Sequence, residues 1–428
     1  METLIQSYVA DKQFMGAVLV ARGDEVLLSK GYGTADIAWS ISNTPATRFR
    51  IASVSKQFTA AAIMRLVDEG KLGLDDRLDS HLRPIAPSLA NITIFQLLTH
   101  TSGMGDYLTS LVPDPSRVKT AAQTIASIQR LKLEATPGTR FIYSNSGYAI
   151  LGAVVEKASG IGYCQFIRER LVRPLGMQDT DCNIDADVVP RRASGYLWER
   201  GVMTYALPHQ ADGIFADGGL YSTVDDLWRW QQALHGGRVV SAGSLKKMTT
   251  VVKQEHGMGV EVNAGANDTV YGHSGHLKGF TSRISYRPRD ELHIVVLSNM
   301  GLGYATGLAR RLSSLASGET VTLNSERVAT EVDRSVLARR VGAYQFPGEV
   351  VCIKLNQRQL SFKLGDQEWL ALTAESSSTF FTKTIDAQFE FVAGKNGQES
   401  LILHQNGQHI LMPRISDKAS TPNAESCK

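Results

Sequence analysis

An α+β fold is what this 428-residue chain predicts, and three patterns carry the prediction. Two hairpin signatures stand far apart in the chain, a long stretch of helical periodicity separates them, and the C-terminal region alternates strands with turns. In the first hairpin, Gly16–Ala21 and Glu25–Lys30 flank the turn residues Arg22, Gly23 and Asp24. In the second, Phe280–Tyr286 and Leu292–Ser298 flank Arg287–Asp290. An antiparallel sheet built from both ends, with helices inserted between, fits this order. Residues 303–317 read as a helix closing that unit.

The character changes after about residue 325. Segments such as Val350–Leu355, Gln359–Leu364, Phe389–Val392 and Leu401–His404 are separated by turns rich in Gly, Asn and Asp. They predict a small all-β barrel or sandwich. The expected division is therefore 1–325, 326–415 and a polar, disordered tail over 416–428.

Composition narrows the function classes. The chain is 43% apolar and 20% charged, with a formal net charge of +3, and carries no basic stripe suited to nucleic acid. No apolar run is long enough for a membrane span, and the first residues lack a signal-peptide pattern. A cytoplasmic protein is expected, or a periplasmic or secreted one if a leader has been removed. Cys164, Cys182, Cys352 and Cys427 are scattered and do not read as a disulfide scaffold. No metal-ligand or phosphate-loop spacing is present, so neither a metal nor a cofactor is expected.

Three short patterns carry chemistry. Ser53 and Lys56 lie one turn apart where a helix with Phe58, Ala62, Ile63, Leu66 and Val67 on its apolar face begins, and Gly70 ends it. A hydroxyl becomes a nucleophile when a neighbour takes its proton, and a helix N-terminus favours a developing oxyanion. The same Ser-x-x-Lys spacing recurs at Ser116/Lys119 and Ser244/Lys247, both in polar contexts that read as surface. Alone, the motif is more often a serine and an exposed lysine on a helix. Tyr143 and Asn145 precede a second apolar helix, placed so that a phenol can relay a proton and an amide can orient a lysine. His273 and Gly275 precede the strand at Phe280, and the glycine allows a strand backbone to approach the nucleophile.

Ser53-x-x-Lys56, Tyr143-x-Asn145 and His273-x-Gly275, in that order, resemble the penicillin-recognising serine hydrolases. That superfamily includes class C β-lactamases, DD-peptidases, D-aminopeptidases and related esterases. Leu97–Gly103 and Asp217–Asp226 look like further landmarks of it. The resemblance covers roughly residues 5–320 and implies a β-lactamase/transpeptidase-like domain. The β domain resembles the extension of D-aminopeptidase-like members. Carried over, the resemblance makes Ser53 the nucleophile, Lys56 its base, Tyr143 the relay and Asn145 the orienting amide. The backbone N–H groups of Ser53 and His276 would form the oxyanion hole. His273 stands where many members carry lysine. A histidine is largely neutral at pH 7, so it points away from substrates held by a carboxylate.

The expected activity is hydrolysis of esters or amides of small acyl or D-amino-acid substrates, peptides included. The alternatives are a weak β-lactamase or DD-peptidase, and a non-catalytic penicillin-binding-like regulatory protein. Tyr107, Phe215 and Tyr221, with Gly275, are candidates to line the substrate pocket; Asp106, Asp212 and Asp217 are candidates for an ammonium group. The β domain either borders the cleft, joins chains into a homo-oligomer, or serves as a stabilising appendage.

Overall fold

The computed structural model describes all residues except 111–119, 183–187, 200–201, 207–213, 265–267, 302–303, 324–325, 366, 383–386, 394–398, 406–407, 416–426 and 428. It divides into two compact units, Gln13–Ala309 and a second made of Met1–Lys12 with Arg310–Lys428. Among the described residues no helix is long and apolar enough to cross a membrane.

The larger unit is organised around a six-stranded antiparallel sheet. Its strands are β1 (Gly16–Arg22), β2 (Glu25–Tyr32), β3 (Glu261–Ala264), β4 (Thr269–Leu277), β5 (Phe280–Arg287) and β6 (Leu292–Ser298), in the order β3-β4-β5-β6-β1-β2. Both expected hairpins form, and they are joined through β1 and β6, with Gly16 opposite Ser298 and Arg22 opposite Leu292. Every residue of β6 is buried, as are the first six of β1. Their near-continuous apolar sequences, AVLVA and IVVL, suit strands covered on both faces.

The intervening segment supplies the helices that cover the sheet. Helix α1 (Ser55–Asp68) is buried along most of its length, and Phe58 stacks on Trp230 of α3 (Val224–His235) at 3.9 Å between ring centroids. Helix α2 (Asn145–Ser159) is capped at its start by the Ser144 hydroxyl, which accepts from Gly147 N–H at 3.1 Å. It ends on Gly160 at φ +76°, in the left-handed region. The expected helix near 303–317 is α4 (Ala305–Ala316).

The smaller unit contains an eight-stranded antiparallel meander from Gly342–Phe346 to Gln408–Pro413, in strict sequence order. A bridge between Tyr344 and Arg414, and a hydrogen bond from Ile415 N–H to Ala343 O of 2.8 Å, link its last segment to its first. The result is a nearly closed barrel rather than a sandwich. Along Ala387–Ala393 burial alternates, sending Ala387, Phe389 and Phe391 inward. Phe380 meets Phe391 edge-on inside.

The cysteines correct the sequence reading. Cys164 is bonded to Cys182, and Cys352 to Cys427. Each pair is separated along the chain and brought together by folding, which spacing alone does not reveal. Apart from Cys427, the tail expected to be disordered lies outside the described residues, as do Ser116, Lys119 and Asp212.

Candidate active site

Ser53 stands in a single 3-10 turn, Ala52–Val54, that runs directly into α1. The residue before it, Ala52, has φ of +49°, a conformation that costs a non-glycine residue roughly 1–2 kcal/mol. Neighbouring segments hold this turn. Ile51 N–H donates to Leu220 O at 3.0 Å, the Ser282 hydroxyl donates to Ile51 O at 2.8 Å, and Leu220 N–H donates to the Ser55 hydroxyl at 3.1 Å. The Asp217–Asp226 landmark thus braces the turn through its Leu220.

Lys56, one turn into the helix, is fully buried. Its Nζ lies 3.0 Å from Ser53 Oγ, 2.7 Å from Asn145 Oδ1 and 2.7 Å from the Asp217 carbonyl oxygen. The Asn145 amide is oriented from its other side, because Nδ2 donates to Asp106 Oδ2 at 2.6 Å. Its Oδ1 is therefore an acceptor, and a backbone carbonyl can only accept. Tyr143 presents its ring to the same lysine, with Nζ 4.9 Å from the centroid.

The third pattern arrives on β4, which pairs with β5 so that His273 faces Ile284 and Gly275 faces Ser282. A Cβ on Gly275 would lie 2.3 Å from Ser282 Oγ and 2.4 Å from Ile51 O. Only glycine lets this strand pass so close to the turn that carries Ser53. His273 is buried. Its Nδ1 is 2.6 Å from the Ser274 carbonyl, so that nitrogen carries the proton. Nε2 keeps its lone pair and, among the described residues, has no protein partner. Burial pushes the imidazole down to about 4, against the opposing pull of Glu261 3.8 Å away. His273 is therefore neutral near pH 7.

These groups share one cleft of about 550 Å³. Ser53, Tyr143, Asn145, His273, Gly275 and His276 line it. Two lining carboxylates, Asp106 and Glu261, also belong to it. Glu261 accepts from Ser274 N–H at 2.9 Å and from its hydroxyl at 2.6 Å, and pairs with Arg283. Buried though it is, Arg283 and His273 with these hydrogen bonds hold its carboxyl well below the usual range.

Three expected pocket residues lie elsewhere. Tyr107 is buried and spends its hydroxyl on Asp217 Oδ2 at 3.0 Å. Phe215 packs on Tyr163 at 4.9 Å, and Tyr221 lies in a short three-stranded sheet with Arg48 over its ring at 5.6 Å. An aromatic beside a motif is as readily absorbed by the scaffold as by a cleft. Asp217 is fully buried, and burial raises its carboxyl even though Lys56 draws it down; its contribution to the site is its carbonyl. Glu261 was not singled out from the sequence, and its only signal is its place one strand before the His-x-Gly segment. Among the described residues, no group of three or more His, Cys, Asp or Glu could hold a metal ion.

The comparisons bear on family and fold. The family model described as Beta-lactamase matches residues 1–315. The chain is 28% identical to "Penicillin-binding protein 4*" of Bacillus subtilis (strain 168) over 437 residues, covering 95% of this chain and 96% of that protein. The octameric penicillin-binding protein homologue from Pyrococcus abyssi has a similar fold, with a TM-score of 0.69 at 24% identity, over 96% of this chain and 98% of that one. The D-amino acid amidase from Ochrobactrum anthropi SV3, in its complex with D-phenylalanine, gives a TM-score of 0.64 at 25% identity, over 74% of this chain and 96% of that one. With the family model spanning most of its length and Ser-x-x-Lys, Tyr-x-Asn and His-x-Gly gathered in one cleft, this chain belongs to the Beta-lactamase family of penicillin-recognising serine hydrolases.

Proposed function

We propose that the chain hydrolyses esters or amides of small acyl or D-amino-acid substrates through an acyl-enzyme on Ser53. The observation that carries this reading is the placement of Lys56 Nζ. Two of its three neighbours, Asn145 Oδ1 and the Asp217 carbonyl, can only accept. Donating to both holds Nζ in place 3.0 Å from Ser53 Oγ, within reach of the hydroxyl proton. In acylation, Oγ bonds to the substrate carbonyl carbon while its proton passes to Nζ. The oxyanion forms against the backbone N–H groups of Ser53 and His276. As the C–N or C–O bond breaks, the Tyr143 hydroxyl gives a proton to the leaving group. Water then attacks the ester and loses its proton to the Tyr143 oxygen, and Ser53 leaves with the proton held on Nζ.

The substrate class rests on what the cleft offers. Its described lining contains no Lys or Arg, His273 is neutral, and two carboxylates are present. That surface favours neutral or ammonium-bearing substrates over those anchored by a carboxylate. The similarity to a D-amino acid amidase supports the same class. The test is parallel turnover of a D-alanyl p-nitroanilide, its L-isomer, a p-nitrophenyl acyl ester and nitrocefin. Ester or D-anilide turnover is expected to exceed nitrocefin turnover by at least about 100-fold, on the order of the cost of one missing charged contact. Nitrocefin hydrolysis equal to ester hydrolysis would refute this substrate reading. Similarity to penicillin-binding proteins keeps β-lactam acylation as the second reading, with the same serine.

We also propose that the protein works in an oxidising compartment, since both disulfides use up all four cysteines. Thiol titration of protein purified without reductant is expected to find no free thiol, native or denatured. Four titratable thiols after denaturation would overturn the assignment.

A further inference from the structure

The Leu97–Gly103 landmark lies outside the reaction steps above, yet it grips the loop that delivers Tyr143. Three of its carbonyls accept from that loop in succession. Gly103 O takes Glu134 N–H at 2.8 Å, Thr101 O takes Gly138 N–H at 2.7 Å, and His100 O takes Ile142 N–H at 2.8 Å. His100 then adds its side chain. Its Nδ1 accepts from Ser144 N–H at 3.0 Å, so the N–H groups of both residues flanking Tyr143 are bound by one residue. The imidazole also stacks on the Tyr143 ring, with centroids 4.4 Å apart and planes inclined by 24°.

Further details fit a group built for this position. His100 adopts φ of +56°, the left-handed region, and is 1% exposed. That backbone cost has to be offset by the contacts it permits. An Nδ1 that accepts a hydrogen bond leaves the proton on Nε2 in the neutral ring. Burial, reinforced by Lys56 and two other histidines, keeps the ring neutral by pushing its pKa well below the ordinary value.

We propose that His100 is the positioning residue for Tyr143, fixing the phenol ring and its flanking backbone without touching substrate. This rests on the reading of Tyr143 as the proton relay. A ring free to swing would displace its hydroxyl from the reacting atoms, and a misplacement of about 1 Å is worth up to about 100-fold in rate.

The test is a double-mutant cycle on ester turnover with Tyr143→Phe and His100→Ala. His100→Ala alone is expected to lower kcat by about 10- to 100-fold with KM little changed. In the Tyr143→Phe background the same change is expected to cost almost nothing more, because the hydroxyl being positioned is gone. A merely structural role would repeat the loss in both backgrounds, and that result overturns the proposal, as does a folded His100→Ala enzyme with undiminished kcat. His100→Asn keeps an acceptor for Ser144 N–H and tolerates positive φ. It is expected to recover part of the lost kcat, and it replaces alanine in the cycle should His100→Ala not fold. If Tyr143→Phe by itself leaves kcat intact, the relay reading fails and the positioning role falls with it. If Tyr143→Phe is impaired and neither His100 variant is, only the positioning role fails.

Discussion

Ser53→Ala is expected to lower kcat for a short-chain p-nitrophenyl ester by on the order of 10⁴-fold or more, with little change in folding stability. Lys56→Met is expected to match that loss of activity and to destabilise the fold as well. The difference follows from burial. Ser53 is half-exposed in the cleft, whereas Lys56 is fully buried and donates to Asn145 and to the Asp217 carbonyl. Methionine fills a similar volume but leaves both acceptors without a donor, at about 1–3 kcal/mol each. Steady-state kinetics and thermal melting of the two variants separate the roles. Retained turnover in Ser53→Ala would eliminate the acyl-enzyme. Equal melting temperatures for both variants would mean that the lysine's contacts to 145 and 217 contribute nothing to the fold.

Acid should unfold this protein well before its carboxylates are fully protonated. Burial pushes His273 and His293 down to about 4, His235 to about 3, and His100 well below its ordinary range. A histidine whose folded pKa lies below its unfolded value of about 6.5 binds more protons when unfolded. Its stabilising contribution is thus complete above pH 6.5 and is lost as the pH falls toward 4. For His273 and His293, which are nearly inaccessible, the loss by pH 5 is on the order of 2 kcal/mol each. Asp217 and Asp226, whose pKa values burial raises, act in the opposite direction and offset part of this at the acid end. The urea midpoint is expected to be flat from pH 8 to 7 and to fall steadily from 6.5 to 5. A midpoint constant down to pH 5 would contradict the assignment of these rings as buried and neutral.

Much of this architecture is legible in the sequence because it is written locally. The two hairpins, the apolar face opening at Phe58 and the alternation of the barrel strands depend on residues near one another in the chain. So does the spacing of Ser53 and Lys56. What is not legible depends on distant neighbours. Nothing around Asp106 announces that it orients Asn145, and nothing around Glu261 announces that it binds Ser274 and Arg283. Cys164 and Cys182 pair because the fold brings a helix beside a short strand. The aromatic candidates failed for a related reason: residue type marks Tyr107 as able to line a pocket, but packing decided that it holds Asp217.

The pairing of β1 with β6 also dictates when the larger unit can come into being. The N-terminal strand emerges from the ribosome early, yet its partner is made only after the whole helical segment, since Gly16 waits for Ser298. Until then the serine has no strand at Gly275 beside it, and an apolar edge at Ala17–Ala21 lies open to wrong partners. Nascent chains stalled before residue 298 should accordingly be inert and sticky, while the barrel, whose strands each pair with the next in line, can assemble as it is made.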